Sequence, residues 1–281
     1  MESAIRRFLE YLERDRKSSE NTILAYRADI NQYRVLLDEK LGRTCHPRDI
    51  SEENLDIYVT WLDEKGFRPA TVSRKIAALR SYIDYLVRFE QFTATDLVTH
   101  LKAEPTPRRR PRVLEREEME RLMAGPAQVK TPRGLRDAAI LSLLYATGLR
   151  AAELVMLSMD QLDVDRSMLL LSGGMKLMDI SDAMPMITAY MQDGRPHLAR
   201  YPEENAVFLN QRGRKLSRQG LWLIVKRWAQ VAGLGTDVSP HTLRHSLAHR
   251  LIKEGRTRRE IQNLLGLSSP NSIRVLGQID D

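Results

Sequence analysis

SPHTLRHSLAHRLIKEGRTRREIQNLLGLSSPNSIRVLGQIDD, from Ser239 to Asp281, is the stretch around which the rest of the chain is organised. It sets His241 three residues before Arg244, and residues at i and i+3 of a helix face the same way. An imidazole and a guanidinium placed like this can share one phosphate, because both carry N–H donors for its oxygens. The tail that follows holds no tyrosine; the last one in the chain is Tyr201.

Working outward, the 281 residues provide for two ordinary domains, each able to bury a core without staples. With 42% hydrophobic and 29% charged residues the chain falls in the soluble globular class, and no apolar run is long enough to span a bilayer. The opening MESAIRRFLEYLERD alternates charged and apolar residues at helical spacing, unlike a signal peptide. The expected location is therefore the cytoplasm, with the nucleoid as the site in a bacterium. The single cysteine, Cys45, excludes an internal disulfide and a cysteine-rich zinc module, and neither a metal nor a cofactor is expected. A net charge of +7 and a pI near 9.6 favour a polyanionic partner, nucleic acid being the commonest.

Four amphipathic stretches fill the first hundred residues. The first runs from Met1 towards Arg16, and the second follows SSEN with Ile23, Tyr26, Ile30, Tyr33 and Leu37 on one face. Ser51 opens the third, through Leu55, Tyr58, Val59 and Leu62, and Gly66 ends it. The fourth, from Ala70, aligns Val72, Ile76, Leu79, Ile83 and Leu86, while Arg74, Lys75 and Arg80 form a basic edge suited either to solvent or to DNA. KAEPTPRRRPR, residues 102–112, breaks the pattern: its prolines forbid a helix and its cluster Arg108, Arg109, Arg110 suits a strap along a phosphate backbone, or a soluble hinge.

Beyond this linker, Glu115 to Met123 reads as a short helix. PRGLRDAAILSLLYATGLRAAELVMLSM then predicts two helices meeting at Thr147-Gly148, with Arg150 just past the turn. A guanidinium at the edge of a buried segment requires an anion, and Glu153 is the internal candidate. From Gln161 to Asp182 the pattern is that of two or three short strands about Gly173-Gly174. Helices resume at Ala183. NQRGRKLSRQGLWLIVKRWAQVAG supplies a basic loop with Arg214 and Lys215, then a helix with Leu221, Ile224, Val225 and Trp228 inward; Trp222 and Trp228 are both expected in the core.

Taken together, SSENTILAYRADI, RPATVSRKIAALRSYIDYL, ATGLRAAEL, HTLRHSLAHRLIKEG and IQNLLG resemble, in order and spacing, the tyrosine recombinases of the phage integrase family, in the manner of the Xer-type enzymes. The resemblance covers nearly the whole length. It implies a mainly α, two-domain architecture: a helical SAM-like core-binding domain at residues 1–101, the linker at 102–112, and a mostly helical catalytic-type domain with a small antiparallel sheet at 113–281. It also implies duplex DNA as partner, held in a clamp and cut through a tyrosyl phosphodiester. In such enzymes arginines and ring N–H donors neutralise the phosphate oxygens, a lysine protonates the leaving oxygen and a tyrosine attacks. Arg150, His241 and Arg244 match the family's arginine-histidine-arginine positions.

The departures from that pattern are as informative. Leu267 follows LLG where the family places histidine or tryptophan, and Leu276 stands where the nucleophilic tyrosine is expected; an aliphatic side chain neither donates nor attacks. The lysine position falls at Gly173 or Gly174, with Lys176 two or three residues later and able to reach a phosphate. The chain runs five residues past Leu276, short of the helix that in relatives docks on a neighbouring subunit, so a monomer in free solution that assembles on DNA is the expectation. The leading expectation is a DNA-binding family member without strand cleavage of its own, working beside an active tyrosine recombinase. One alternative is an active recombinase whose nucleophile is displaced, for instance to Ser268, Ser269 or Ser272, or supplied by a partner. The other is an interaction protein in which Arg150 is satisfied by Glu153 and binds no DNA.

Overall fold

The helices begin where small polar residues can cap them. In the computed structural model, which describes residues 1–90, 92–93, 96–101, 111–171 and 176–267, Ser19 accepts from the Thr22 N–H to open α2 (Glu20–Leu41), after α1 (Glu2–Arg14). Ser51 does the same for α3 (Glu52–Glu64) through Asn54, and Pro69 stands at the first position of α4 (Pro69–Phe89), which a short α5 (Asp96–His100) follows. The expected apolar faces turn inward, and Phe8, Tyr33, Tyr58 and Tyr82 fill the centre of this first unit. Phe8 and Tyr82 meet at 5.4 Å between ring centroids, and Tyr33 meets Tyr58 edge-on at 5.1 Å.

One charge in that core was not anticipated. Asp29 is 2% exposed and binds both Arg74 and Lys75, the latter at 3.0 Å, while Lys75 also donates to Gln32 and lies over the Phe67 ring. Lys75 is therefore a structural residue at 6% exposure, not the DNA-facing cation its sequence position suggested. Arg80 is exposed, and Arg74 is exposed but tied to Asp29.

The chain divides into two compact units, Met1–Arg108 and Arg109–Asp281. Linker residues 102–110, with Arg108, Arg109 and Arg110, lie outside the described residues, as do Gly173, Gly174, Ser268, Ser269, Ser272 and Leu276. In the second unit α6 (Arg116–Ala127) extends beyond the expected Met123, through Pro126, and leads to α7 (Pro132–Thr147) and α8 (Ala151–Val155). Strands β1 (Leu162–Asp163), β2 (Met168–Leu171) and β3 (Lys176–Asp179) form an antiparallel sheet in that order, with Leu171 opposite Lys176. A helical run follows, α9 (Met184–Ala189), a π turn (Tyr190–Gly194) and α10 (Arg195–Leu198), before α11 (Arg218–Val231), α12 (Pro240–Lys253) and α13 (Arg258–Leu265). Among the described residues, no helix is long and apolar enough to cross a membrane.

Helix α7 is buried on most sides because α6, α9, α12 and the π turn all pack on it. Within it Arg136 and Asp137, 5% and 2% exposed, form an ion pair at 2.8 Å; Arg136 also donates to the Leu209 carbonyl, and Trp228 donates to Asp137 at 2.9 Å. Trp228 is thus a core residue with its indole N–H satisfied. Trp222 departs from expectation: it is 45% exposed, with the Lys226 ammonium 4.9 Å from its ring centroid.

Candidate functional site

The site starts at the end of α7. Thr147 Oγ1 donates to the Leu143 carbonyl, and Gly148 closes the helix in the left-handed region at φ +62°. A Cβ there would lie 2.5 Å from Leu265 and 2.9 Å from Leu247, so only glycine lets α12 and α13 close over the turn. The chain then re-enters a helix at Arg150, whose N–H donates to Glu153 Oε2 at 2.7 Å while its Nη1 donates to Glu153 Oε1 at 2.8 Å. This is the internal anion that the sequence suggested.

Three cations from three separate elements converge on the C-terminal end of α13. Lys176 donates to the Leu264 carbonyl at 2.6 Å, Arg244 to the Leu265 carbonyl, and Arg150 to the Gly266 carbonyl at 2.7 Å. Arg244 also donates to the Gly148 carbonyl. Three successive carbonyls at the negative end of a helix thus each receive one positive group, which satisfies acceptors that the helix itself leaves without partners. A Cβ at Gly266 would lie 3.8 Å from Lys176 Nζ and 3.9 Å from Arg150 Nη1, so both cations border this one glycine.

Burial first, and crowding of like charge second, disfavour the charged forms in this cluster. Burial, reinforced by the neighbouring Arg150 charge and opposed by Glu153, pushes the Arg244 guanidinium down to about 10. Burial also lowers Lys176, with Arg244 and Arg150 acting in the same direction and Glu153 against them. Each arginine Nη carries two protons and spends one on a carbonyl or carboxylate, so donor capacity is left for a phosphate oxygen.

His241 and Arg244 do not share an environment. His241 is exposed, whereas Arg244 is 6% exposed. His245 neighbours both: its ring lies 6.2 Å from that of His241, and its imidazole is lowered by burial, then by His241 and Arg244. Leu267 packs at the edge of the small cluster of Leu247, Ala248, Ile261 and Leu265, filling apolar space. Arg214 and Lys215 are exposed on the loop before α11; Arg214 stacks 3.4 Å above the Tyr201 ring and pairs with Glu203 at 3.1 Å.

Lys176 is the residue whose role the sequence left most open, and the structure resolves its position: the first residue of β3 reaches the cation cluster directly. Replacing it by methionine removes one charge of the cluster and little packing. The expected result is weaker association with duplex DNA at all sequences and a salt slope shallower by about one, read by fluorescence polarisation across a salt series.

A helical unit, a second helical unit carrying a three-stranded antiparallel sheet, and arginines from a Gly-Leu-Arg turn and a His-x-x-Arg helix define the tyrosine-recombinase fold. Comparison with known proteins agrees over the full length. The phage integrase family profile matches residues 112–276, and that of the phage integrase N-terminal SAM-like domain matches residues 5–90. Tyrosine recombinase XerC of Herpetosiphon aurantiacus is 33% identical, over 100% of this chain and 92% of that protein. Tyrosine recombinase XerD of Listeria innocua is 36% identical, over 98% and 93%. Among solved structures, XerH bound to a palindromic difH substrate in a post-cleavage complex superposes with a TM-score of 0.73 at 18% identity, covering 99% of this chain and 92% of that one. A lambda integrase dimer bound to a COC' core site gives 0.69 at 17%, covering 100% and 95%. The chain belongs to the phage integrase family of tyrosine recombinases.

Proposed function

We propose that this chain binds duplex DNA across the Arg150, Lys176 and Arg244 cluster without cutting it, and acts beside an active recombinase. The observation that carries the reading is the pairing of a cation cluster with donor capacity to spare and a sequence with no tyrosine beyond Tyr201 and leucine at 267 and 276. Holding a phosphodiester needs positive charge and N–H groups, which these residues supply. Cleavage needs a nucleophile, and the expected position supplies a hydrocarbon. That XerH is described with its difH substrate and lambda integrase with a core site supports duplex DNA as the class of partner.

The test is a nicked duplex incubated with the protein across a salt series, scored for retardation and for covalent adduct. Expected is retardation that weakens steeply as salt rises, with no adduct. An adduct resistant to denaturation would overturn the reading in favour of a displaced nucleophile, and absence of any salt-sensitive association would overturn it in favour of an interaction protein. The Arg150–Glu153 pair favours that last reading, since it neutralises one cation internally.

A further inference from the structure

A second concentration of positive charge lies elsewhere in the C-terminal unit, and among the described residues it has no counter-ion. Arg133 at the start of α7, His197 in α10, Arg200 just after it and Arg227 in α11 line one polar cleft of about 500 Å³, together with Gln211. All four basic side chains are exposed, and none makes an ion pair or a hydrogen bond to a described residue. Among the described residues the only acid that lines the cleft is Asp137, already neutralised by Arg136 and hydrogen-bonded by Trp228.

From this arrangement we infer that the cleft is a phosphate-group binding site, separate from the Arg150 cluster. Unpaired arginines occur elsewhere on this surface, Arg80 among them, and what distinguishes this set is that it converges on one concavity. Arg133, Arg200 and Arg227, brought from separate elements and without a carboxylate partner among the described residues, leave a field there that an anion relieves. Several guanidinium forks around one cleft suit phosphate, whose oxygens accept several charge-assisted hydrogen bonds at once, better than a single carboxylate.

The positions are built rather than accidental. The Arg200 stem packs against Gly213, where a Cβ would lie 2.8 Å from it, so the loop at residues 210–215 fixes where Arg200 starts. The Arg227 guanidinium lies 5.2 Å from the Trp228 ring, which forms one wall. The amide end of α7 contributes little, because Pro132 has no N–H and Thr131 Oγ1 already takes that of Gly134. The side chains carry the site. Its phosphate comes either from a duplex backbone or from a free polyphosphorylated small molecule, and the two share the same chemistry.

The test uses the full chain with inorganic tripolyphosphate as probe, at constant ionic strength, read by tryptophan fluorescence and by thermal midpoint. Expected is a saturable response in the parent protein and in Lys176→Met, and an affinity at least about tenfold weaker in Arg133→Gln/Arg200→Gln/Arg227→Gln. Arg166→Gln, a change at an arginine outside the cleft, is the control expected to match the parent. A parallel titration with duplex DNA distinguishes the source: loss of DNA affinity with a shallower salt slope in the triple variant assigns the backbone, and unchanged DNA binding assigns a free phosphorylated ligand. The proposal is overturned if tripolyphosphate gives no saturable response, or the same response in the triple variant as in the parent. Because Lys176→Met is carried alongside, failure here is distinct from failure of the DNA-binding reading above.

Discussion

Replacing Arg244 by alanine is expected to cost both stability and DNA affinity, by amounts that can be read separately. The guanidinium serves the carbonyls of Gly148 and Leu265 in a nearly buried position, so its loss orphans two acceptors. At about 1–3 kcal/mol for each acceptor, partly offset because a costly buried charge is also removed, the net loss is about 3 kcal/mol. In a unit of this size that lowers the thermal midpoint by about 6–12 °C, measurable by calorimetry. At a temperature where both proteins remain folded, the DNA-binding reading predicts affinity weaker by about tenfold or more in the variant. Arg244→Lys keeps charge but loses the fork, and is expected to recover part of the DNA affinity and little of the stability. If the parent binds DNA and the alanine variant binds it equally well, Arg244 is structural only.

The second large effect is purely one of stability. Asp137→Ala strips the carboxylate from between Arg136 and Trp228, leaving a buried guanidinium with only the Leu209 carbonyl and an indole N–H with no acceptor. Removing one partner of a buried pair typically costs about 3–5 kcal/mol. With a urea dependence of about 2 kcal/mol per molar, the unfolding midpoint falls by about 2 M, followed by tryptophan fluorescence. Replacing both partners with apolar residues of similar size, as in Arg136→Met/Asp137→Leu, is expected to recover most of that loss, because the desolvation cost disappears with the charge. A double variant no more stable than Asp137→Ala would show that the knot acts through more than its charges.

Both sites illustrate which parts of this molecule could be read from its residues. The helices were legible because their apolar faces repeat at helical spacing and because Ser19 and Ser51 announce their starts. Arg150 and Glu153 were legible as a pair because they lie three residues apart. Asp29 with Lys75 and Asp137 with Trp228 are separated by 46 and 91 residues, and nothing local marks either acid as buried. The reading of Lys75 as a surface cation failed for that reason. Trp222 was misplaced because an aromatic on an amphipathic helix is ordinarily inward, whereas here Leu221 and Trp228 hold the inner face. Lys176 could not be placed because the register of a hairpin depends on its turn, and one residue of slip moves every side chain to the opposite face. The ligands of the cation cluster are backbone carbonyls, which carry no residue identity and so leave no trace in the sequence.

The three carbonyls at the end of α13 also bear on the order in which the molecule assembles. Their bonds to Lys176 and Arg150 close loops of 88 and 116 residues, and such distant contacts are expected to form late in folding. Moreover α13 anchors through the small cluster of Leu247, Ala248, Ile261 and Leu265, a cluster distinct from the main core. A helix held by so small a cluster is expected to open locally at a fraction of the free energy of global unfolding, uncovering the cation cluster, with amide hydrogen exchange in α13 as the measure.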